Sequence, residues 1–193
     1  MLLVQRTFYT TKHLSWSSVP GYNILGKALI EEMSSKSREV RYYSSSLIDS
    51  TLAFLSNNKL LMCFVRVAFL KTSIDSLPTV MKALEFTARW FIEIYATDNI
   101  VPANFDFSFF KAGLQRIFTS NHGTATAKVF WLLYQIWHVL SVEHKEDLLQ
   151  MILEPGRFYS FMFNWCWDTR MCFYYFFYFQ LTRSIISSSE KAE

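Results

Sequence analysis

The sequence predicts an all-α protein, and three of its features support that prediction. Hydrophobic residues make up 51% of the 193 residues, which is enough for a sizeable buried core. Only 5 glycines and 4 prolines are present, whereas a β-sandwich or barrel needs a turn signal about every 8–12 residues. Apolar side chains also recur at helical spacing in several segments that short polar stretches separate. A few helices with short connections fit these features best.

The composition divides the chain into three parts. Residues 1–20 are irregular and end at Pro20-Gly21, which is a turn signal. Residues 21–183 contain the helical patterns and are predicted to form a single all-α domain. Residues 184–193 are polar and are predicted to be a disordered tail.

Four helices are predicted in the first half of the domain, at residues 22–33, 42–55, 59–71 and 76–96. The first has one apolar face that we expect to be buried, made of Ile24, Leu25, Ala28 and Leu29. The third, residues 59–71, fits a buried strand or a buried helix, and its length favours the helix. The fourth is the clearest, because Ser76 can cap it and Pro78 falls in its first turn, where a missing N–H costs nothing.

The second half contains helical patterns at residues 105–119, 124–140, 141–153 and 165–181, with a short segment at 157–163. Ser141 can cap the third of these helices. The total is about eight helices at spacings of about 20–40 residues, which is the rhythm of an armadillo or HEAT solenoid. No motif recurs at fixed residues, so an irregular helical bundle is the alternative to a solenoid fragment.

The segment Trp165 to Leu181 is the most aromatic part of the chain, since nine of its seventeen residues are aromatic. Its apolar residues fall on every face of a helix, so it is expected to be either a central core helix or a membrane-embedded one. Asp168 and Arg170 interrupt it near its start and leave only Met171 to Leu181, which is shorter than the roughly 20 residues of a membrane span. The core position is therefore preferred, and a membrane anchor through Trp165–Leu181 is the alternative.

The last two helices resemble a known family of domains. The segment Phe163-Asn164-Trp165, then Asp168-Thr169-Arg170 and Phe173, is similar to the end of an uncharacterised domain of unknown function in large helical-repeat-like proteins of fungi and protists. The similarity extends over about Phe109–Leu181, and Asn164 stands where the family often has His. The resemblance implies a helical-repeat fold and no established activity. It also implies that this chain is a shortened member or one piece of a longer protein.

The residues that could carry chemistry are few. His138, Glu143 and His144 form the only close His/Glu set, and the helix is predicted to break at Ser141, so they do not fit a zinc-binding helix. No phosphate-binding loop, nucleophile elbow or Cys-x-x-Cys pair occurs. A net charge of +3 without a basic stripe argues against nucleic acid. We therefore expect no metal, no cofactor and no enzymatic activity.

The sequence is best interpreted as a non-catalytic helical scaffold or protein-interaction module, because such proteins bind through extended surfaces and need no signature residues. Trp165, Asp168 and Arg170 are the candidate partner-binding residues, since they place charge beside the most apolar segment. The expected partners are proteins, and the chain is expected to belong to a longer chain or an oligomer if its apolar ends need covering. An enzyme with scattered catalytic residues is the remaining alternative.

Two features bear on the compartment. Cys63, Cys166 and Cys172 are an odd set in apolar surroundings, which is typical of reduced thiols in a cytoplasmic protein. Residues 1–30 contain basic residues and no acidic one, so a mitochondrial presequence is an alternative to a cytoplasmic location. A membrane-associated location through Trp165–Leu181 is the other alternative.

Overall fold

The computed structural model describes residues 19–35, 39–96, 101–103, 105–120 and 122–182. Most of the N-terminal lead, the proposed presequence and the polar tail lie outside these residues. The described part contains no β-strand. It contains nine α-helices, which are α1 (Tyr22–Ser34), α2 (Ser45–Phe54), α3 (Leu61–Leu70), α4 (Leu77–Ala96), α5 (Phe107–Phe118), α6 (Gly123–Ile136), α7 (Val142–Ile152), α8 (Pro155–Met162) and α9 (Trp167–Phe176). The predicted all-α helical array is confirmed.

Side-chain caps explain where several helices begin. Ser44 accepts a hydrogen bond from the Leu47 N–H at the start of α2, and Asp106 accepts one from the Phe109 N–H at the start of α5. Ser141 accepts from the N–H of His144, as its position in the sequence predicts. Each cap satisfies one N–H that has no partner within the helix.

Helix α6 is the central helix of the described fold. Nine of its 14 residues are buried, and it packs against α4, α5 and, most extensively, α9. The expectation that the aromatic segment forms the central helix is therefore wrong. The aromatic helix α9 lies against one side of α6, and the small residues Gly123, Ala125 and Ala127 are among the buried residues of α6.

Helices α1 to α4 form the N-terminal part of the core. The indole N–H of Trp90 on α4 donates to the hydroxyl of Thr51 on α2 over 2.8 Å, and both residues are fully buried. The ring of Tyr43 stacks on Phe86 of α4 at 6.3 Å. Its hydroxyl donates to the carbonyl of Met33 at the end of α1. These contacts join the first two helices to α4.

The buried face of α1 differs from the expected one. Ile24 and Leu25 are 74% and 60% exposed, whereas Tyr22, Gly26 and Met33 are buried. Gly26 faces the ring of Phe54, and Tyr22 stacks on the same ring at 5.1 Å. Because glycine has no side chain, α1 approaches α2 on this face, and Ile24 and Leu25 are left in solvent while Leu29 is half-buried against the core.

Helix α3 confirms the helical interpretation of residues 59–71. Phe64, Val65 and Ala68 are fully buried on it, and Arg66 lies on the exposed side over the ring of Phe109. Cys63 is exposed, and Cys166 and Cys172 are half-buried, so the three cysteines are not the core thiols that their apolar surroundings in the sequence suggest.

Candidate partner-binding surface

The last part of the described chain consists of α8, a four-residue connection at 163–166, α9 and a π-helical turn at Phe177–Thr182. Pro155 occupies the first turn of α8, where its missing N–H costs nothing. The side chain of Asn164 accepts a hydrogen bond from the Cys166 N–H and donates to the carbonyl of Ser160. Asn164 thus joins the end of α8 to the start of α9 and fixes the connection.

One face of α9 is buried against α6. Phe173 lies 5.2 Å from Phe130, and Phe176 lies 5.0 Å from Trp137, measured between ring centroids. The hydroxyl of Thr169 donates to the carbonyl of Gly123 over 2.8 Å. This face carries the packing that holds α9 on the fold.

The opposite face of α9 is aromatic and exposed. Trp167, Tyr174, Tyr175 and Tyr178 recur at positions i, i+7, i+8 and i+11, which lie on one side of a helix. Together with their exposed neighbours on α8, the connection and the π-helical turn they form what we name the aromatic surface. Its members are Tyr159, Phe163, Trp165, Trp167, Tyr174, Tyr175, Tyr178 and Phe179.

Ring contacts join two groups of side chains on the aromatic surface. The rings of Tyr159 and Phe163 stack at 6.3 Å, and the ring of Phe179 lies 6.0 Å from Tyr175 and 5.0 Å from Tyr178. The hydroxyl of Tyr174 donates to the carbonyl of Met162 over 2.9 Å, which ties α9 to the end of α8. Tyr159 and Phe163 therefore lie on α8 and just after its end. The other six rings lie on α9 and on the segments directly before and after it.

The structure places Trp165 in the connection before α9, and Asp168 and Arg170 in the first turn of α9. Trp165 is 81% exposed and lies on the aromatic surface. Asp168 is exposed in the first turn of α9, where the helix dipole favours a negative charge. Arg170 donates to the carbonyls of Asn164 and Trp165, and its guanidinium lies 5.4 Å from the Trp167 ring centroid. Arg170 therefore holds the backbone of the connection and contacts the Trp167 ring.

The sequence interpretation missed Trp167, Tyr174, Tyr175 and Tyr178. A signal for them does exist, because the two faces of α9 differ in residue type. The exposed face carries Trp and Tyr, which have a polar atom for solvent, whereas the buried face carries phenylalanine. The sequence interpretation counted Trp, Tyr and Phe alike as apolar residues on every face of the helix, and so did not distinguish the two faces.

The thiol of Cys172 on α9 is not activated. Burial raises the pKa of Cys172, and the nearby Asp168 carboxylate raises it further. A thiol with a raised pKa is protonated at neutral pH and is a poor nucleophile and metal ligand. Cys63, Cys166 and Cys172 are all free cysteines.

The two histidines that the sequence singled out pack on aromatic rings. His138 lies 4.2 Å from the ring of Tyr95, and His144 stacks on Phe107 at 4.0 Å. Burial lowers the pKa of His138, and the charge of Lys145 lowers it further. Within the described ranges, no group of three or more His, Cys, Asp or Glu residues is placed to hold a metal ion.

A search of the curated proteins and a search of the solved structures each gave no match to the chain. None of the described helices combines the length and hydrophobicity that crossing a membrane requires. The family model described as Protein of unknown function (DUF1765) matches residues 61–181, which run from α3 into the π-helical turn and include the whole aromatic surface. The match covers more than half of the chain and confirms the resemblance inferred from the last helices. The chain therefore belongs to the DUF1765 family.

Proposed function

We propose that the protein is a non-catalytic helical interaction module that binds a protein partner through the aromatic surface. One observation carries the proposal. Eight aromatic side chains, each between 40% and 81% exposed, cluster on α8, α9 and the segments beside them. A concentration of exposed aromatic side chains in one part of a fold is typical of an interaction site.

The residue types on the aromatic surface suit protein recognition. Tryptophan and tyrosine are the residues most enriched among those that dominate binding energy at interfaces. Each offers a large rigid contact area and loses little rotamer freedom on binding. The tyrosine hydroxyls and the exposed Asp168 add polar groups that a partner can pair. A partner with an apolar centre and a polar rim would complement this surface.

The surface is also held rigidly before binding. Arg170 braces the two carbonyls beside the tryptophans, Asn164 fixes the connection, and Tyr174 joins α9 to α8. A preorganised surface loses less conformational entropy when a partner binds. This supports a docking role without any reaction, metal or cofactor.

The partner can belong to the same protein or to another one. Another segment of a longer chain or a second subunit would count as the partner if it covers the aromatic surface. Three free cysteines favour a reducing compartment, and we therefore place this activity in the cytoplasm.

Site-specific photo-crosslinking tests the proposal. A benzoyl-phenylalanine replaces Tyr175 on the aromatic surface or, as the matched control, Tyr42, which is an exposed aromatic residue outside it. We expect cells to yield a defined crosslinked protein from position 175 and none from position 42. Binding is then measured by calorimetry with the purified partner. Trp165→Ala and Trp167→Ala should each weaken it about 30-fold, which corresponds to about 2 kcal/mol, while Tyr42→Ala should not.

A second experiment with lipid vesicles distinguishes binding to a protein from binding to a membrane. Wild-type protein and the Trp165→Ala/Trp167→Ala double variant are floated with anionic phospholipid vesicles. Trp and Tyr also favour the membrane interface, so flotation of the wild type but not of the variant would assign the surface to lipid. That result, with equal crosslinking from both positions, would reject a protein partner.

A further inference from the structure

A cleft between α3, α4 and α5 lies on elements other than those of the aromatic surface. Its volume is about 490 Å³, which is in the range of small-molecule sites. Most of its lining is apolar, and the three helices supply most of the lining residues. The residues that define it are Phe69, Val80, Leu84, Ala112, Gly113 and Ile117.

Gly113 gives the cleft its shape. A Cβ atom at this position would lie 2.5 Å from two ring atoms of Phe69, so the ring can rest on α5 only because the side chain is absent. The Phe69 ring is further held by edge contacts to Phe109 at 6.2 Å and Phe110 at 5.8 Å. The aromatic wall of the cleft is therefore a fixed part of the fold.

Two charged side chains line the same cleft. Arg116 comes from the last turn of α5, and Asp75 comes from the connection between α3 and α4. Among the residues that the structure describes, neither side chain has a hydrogen bond or an ion pair, and the two are not paired with each other. The cleft thus joins an apolar wall to a guanidinium that has no carboxylate partner.

We propose that this cleft binds a small amphipathic acid, a molecule with an unbranched apolar body and one carboxylate. The apolar body lies on Phe69, Gly113 and Ile117, and the carboxylate pairs with Arg116. Guanidinium is planar, weakly hydrated and matched to carboxylate in a two-bond geometry, so it pairs at the edge of an apolar site. The strongly hydrated carboxylate of Asp75 stays in water. This site is independent of the partner proposed for the aromatic surface.

Calorimetry with three probes of equal chain length tests the charge preference. Dodecanoate, dodecylamine and dodecanol are titrated into the full chain below their micelle concentrations. We expect dodecanoate to bind one molecule per chain, and both other probes to bind at least tenfold more weakly. Arg116→Gln should weaken dodecanoate at least tenfold, whereas Asp75→Asn should leave it unchanged or tighten it. Tighter binding of dodecylamine, or no effect of Arg116→Gln, would overturn the proposal.

Blocking variants test the location. Ala112 lines the cleft from its exposed side, so Ala112→Phe should fill the cleft and abolish dodecanoate binding. Ala53→Phe places the same ring on an exposed position of α2 outside the cleft and should leave binding intact. Thermal unfolding of both variants checks folding, and Arg116→Gln keeps the test valid if Ala112→Phe unfolds. Loss of dodecanoate binding in the Trp165→Ala/Trp167→Ala variant would place the probe on the aromatic surface and overturn the cleft site.

Discussion

Gly123, at the start of α6, lies in close contact with the residues at the start of α9. A Cβ atom there would lie 2.5 Å from Cβ and 2.9 Å from Sγ of Cys166, and its carbonyl accepts the buried hydrogen bond of Thr169. The Cys166 Cβ is attached to the backbone and cannot move aside as a flexible side chain would. The junction therefore depends on glycine because of contact distance, and its backbone φ is not in the left-handed region.

Gly123→Ala is expected to destabilise the protein. The added methyl group must push α9 away from α6, and overpacking of this kind costs about 1–3 kcal/mol. Gly156→Ala is the matched control, because nothing lies within 4 Å of its Cβ position and it sits in the first turn of α8. It should be neutral or stabilise by up to about 1 kcal/mol. Urea unfolding of both variants measures the difference, and equal stabilities would contradict the close contact.

Tyr43 predicts a dependence of stability on alkaline pH. Burial raises its pKa to about 12, from about 10 in an unfolded chain. Between these values the folded state keeps the proton that the unfolded state loses, so the free energy of unfolding falls as pH rises from about 10 to 12. Tyr43→Phe cannot titrate, so its stability should fall less over this interval. Chemical unfolding at several pH values measures both slopes, and parallel slopes would disprove the linkage.

At the scale of the element, α9 has two faces with different roles. Phe176 on the buried face is fully enclosed, whereas Tyr175 beside it is 46% exposed. The same truncation at adjacent positions therefore separates packing from binding.

Phe176→Ala should cost about 3–5 kcal/mol, because it removes a ring packed against Trp137 and Phe130 and leaves a cavity. Tyr175→Ala should change the free energy of unfolding by no more than about 0.5 kcal/mol, as is usual for an exposed site. Thermal and urea unfolding compare the two variants. If Tyr175→Ala lowered the free energy of unfolding as much as Phe176→Ala does, the face of α9 that carries Tyr175 would also be buried in the fold.

The positions of most helices could be predicted from the sequence, but the face that α1 buries could not. Ser141 caps α7 as predicted because a cap is a contact between residues three apart. The buried face of α1 depends instead on Phe54 of another helix, which fits against Gly26. Periodicity identifies an apolar face, but it contains no information about which neighbour is near.

The candidate surface was predicted only in part for the same reason. Trp165, Asp168 and Arg170 were identified because charged residues are conspicuous in an apolar segment. The other residues of the aromatic surface were expected in the core, because a helix with aromatic residues on every face shows no polar face in its sequence. Only the packing of α9 on one side of α6 shows which rings remain exposed.

At the scale of the whole molecule, α6 lies between the two proposed binding regions. It contacts α4 and α5, which line the cleft, and α9, which carries most of the aromatic surface. The two regions use different elements, so a variant in one can be tested without altering the side chains of the other.

The core also extends beyond the residues that match the family. Trp90 lies inside the matched range, but its indole N–H is paired with Thr51, and Phe86 packs on Tyr43. A fragment of residues 61–193 would lose both partners, so the indole N–H of Trp90 would have no acceptor and the ring of Phe86 would lose its stacking partner. We expect it to lack the cooperative thermal transition and the near-ultraviolet circular dichroism of the full chain. Asp49→Ala in the full chain, which breaks only the exposed ion pair with Arg89, should cost no more than about 1 kcal/mol. A cooperative transition of the fragment at the full-chain temperature would show that α1 and α2 are dispensable.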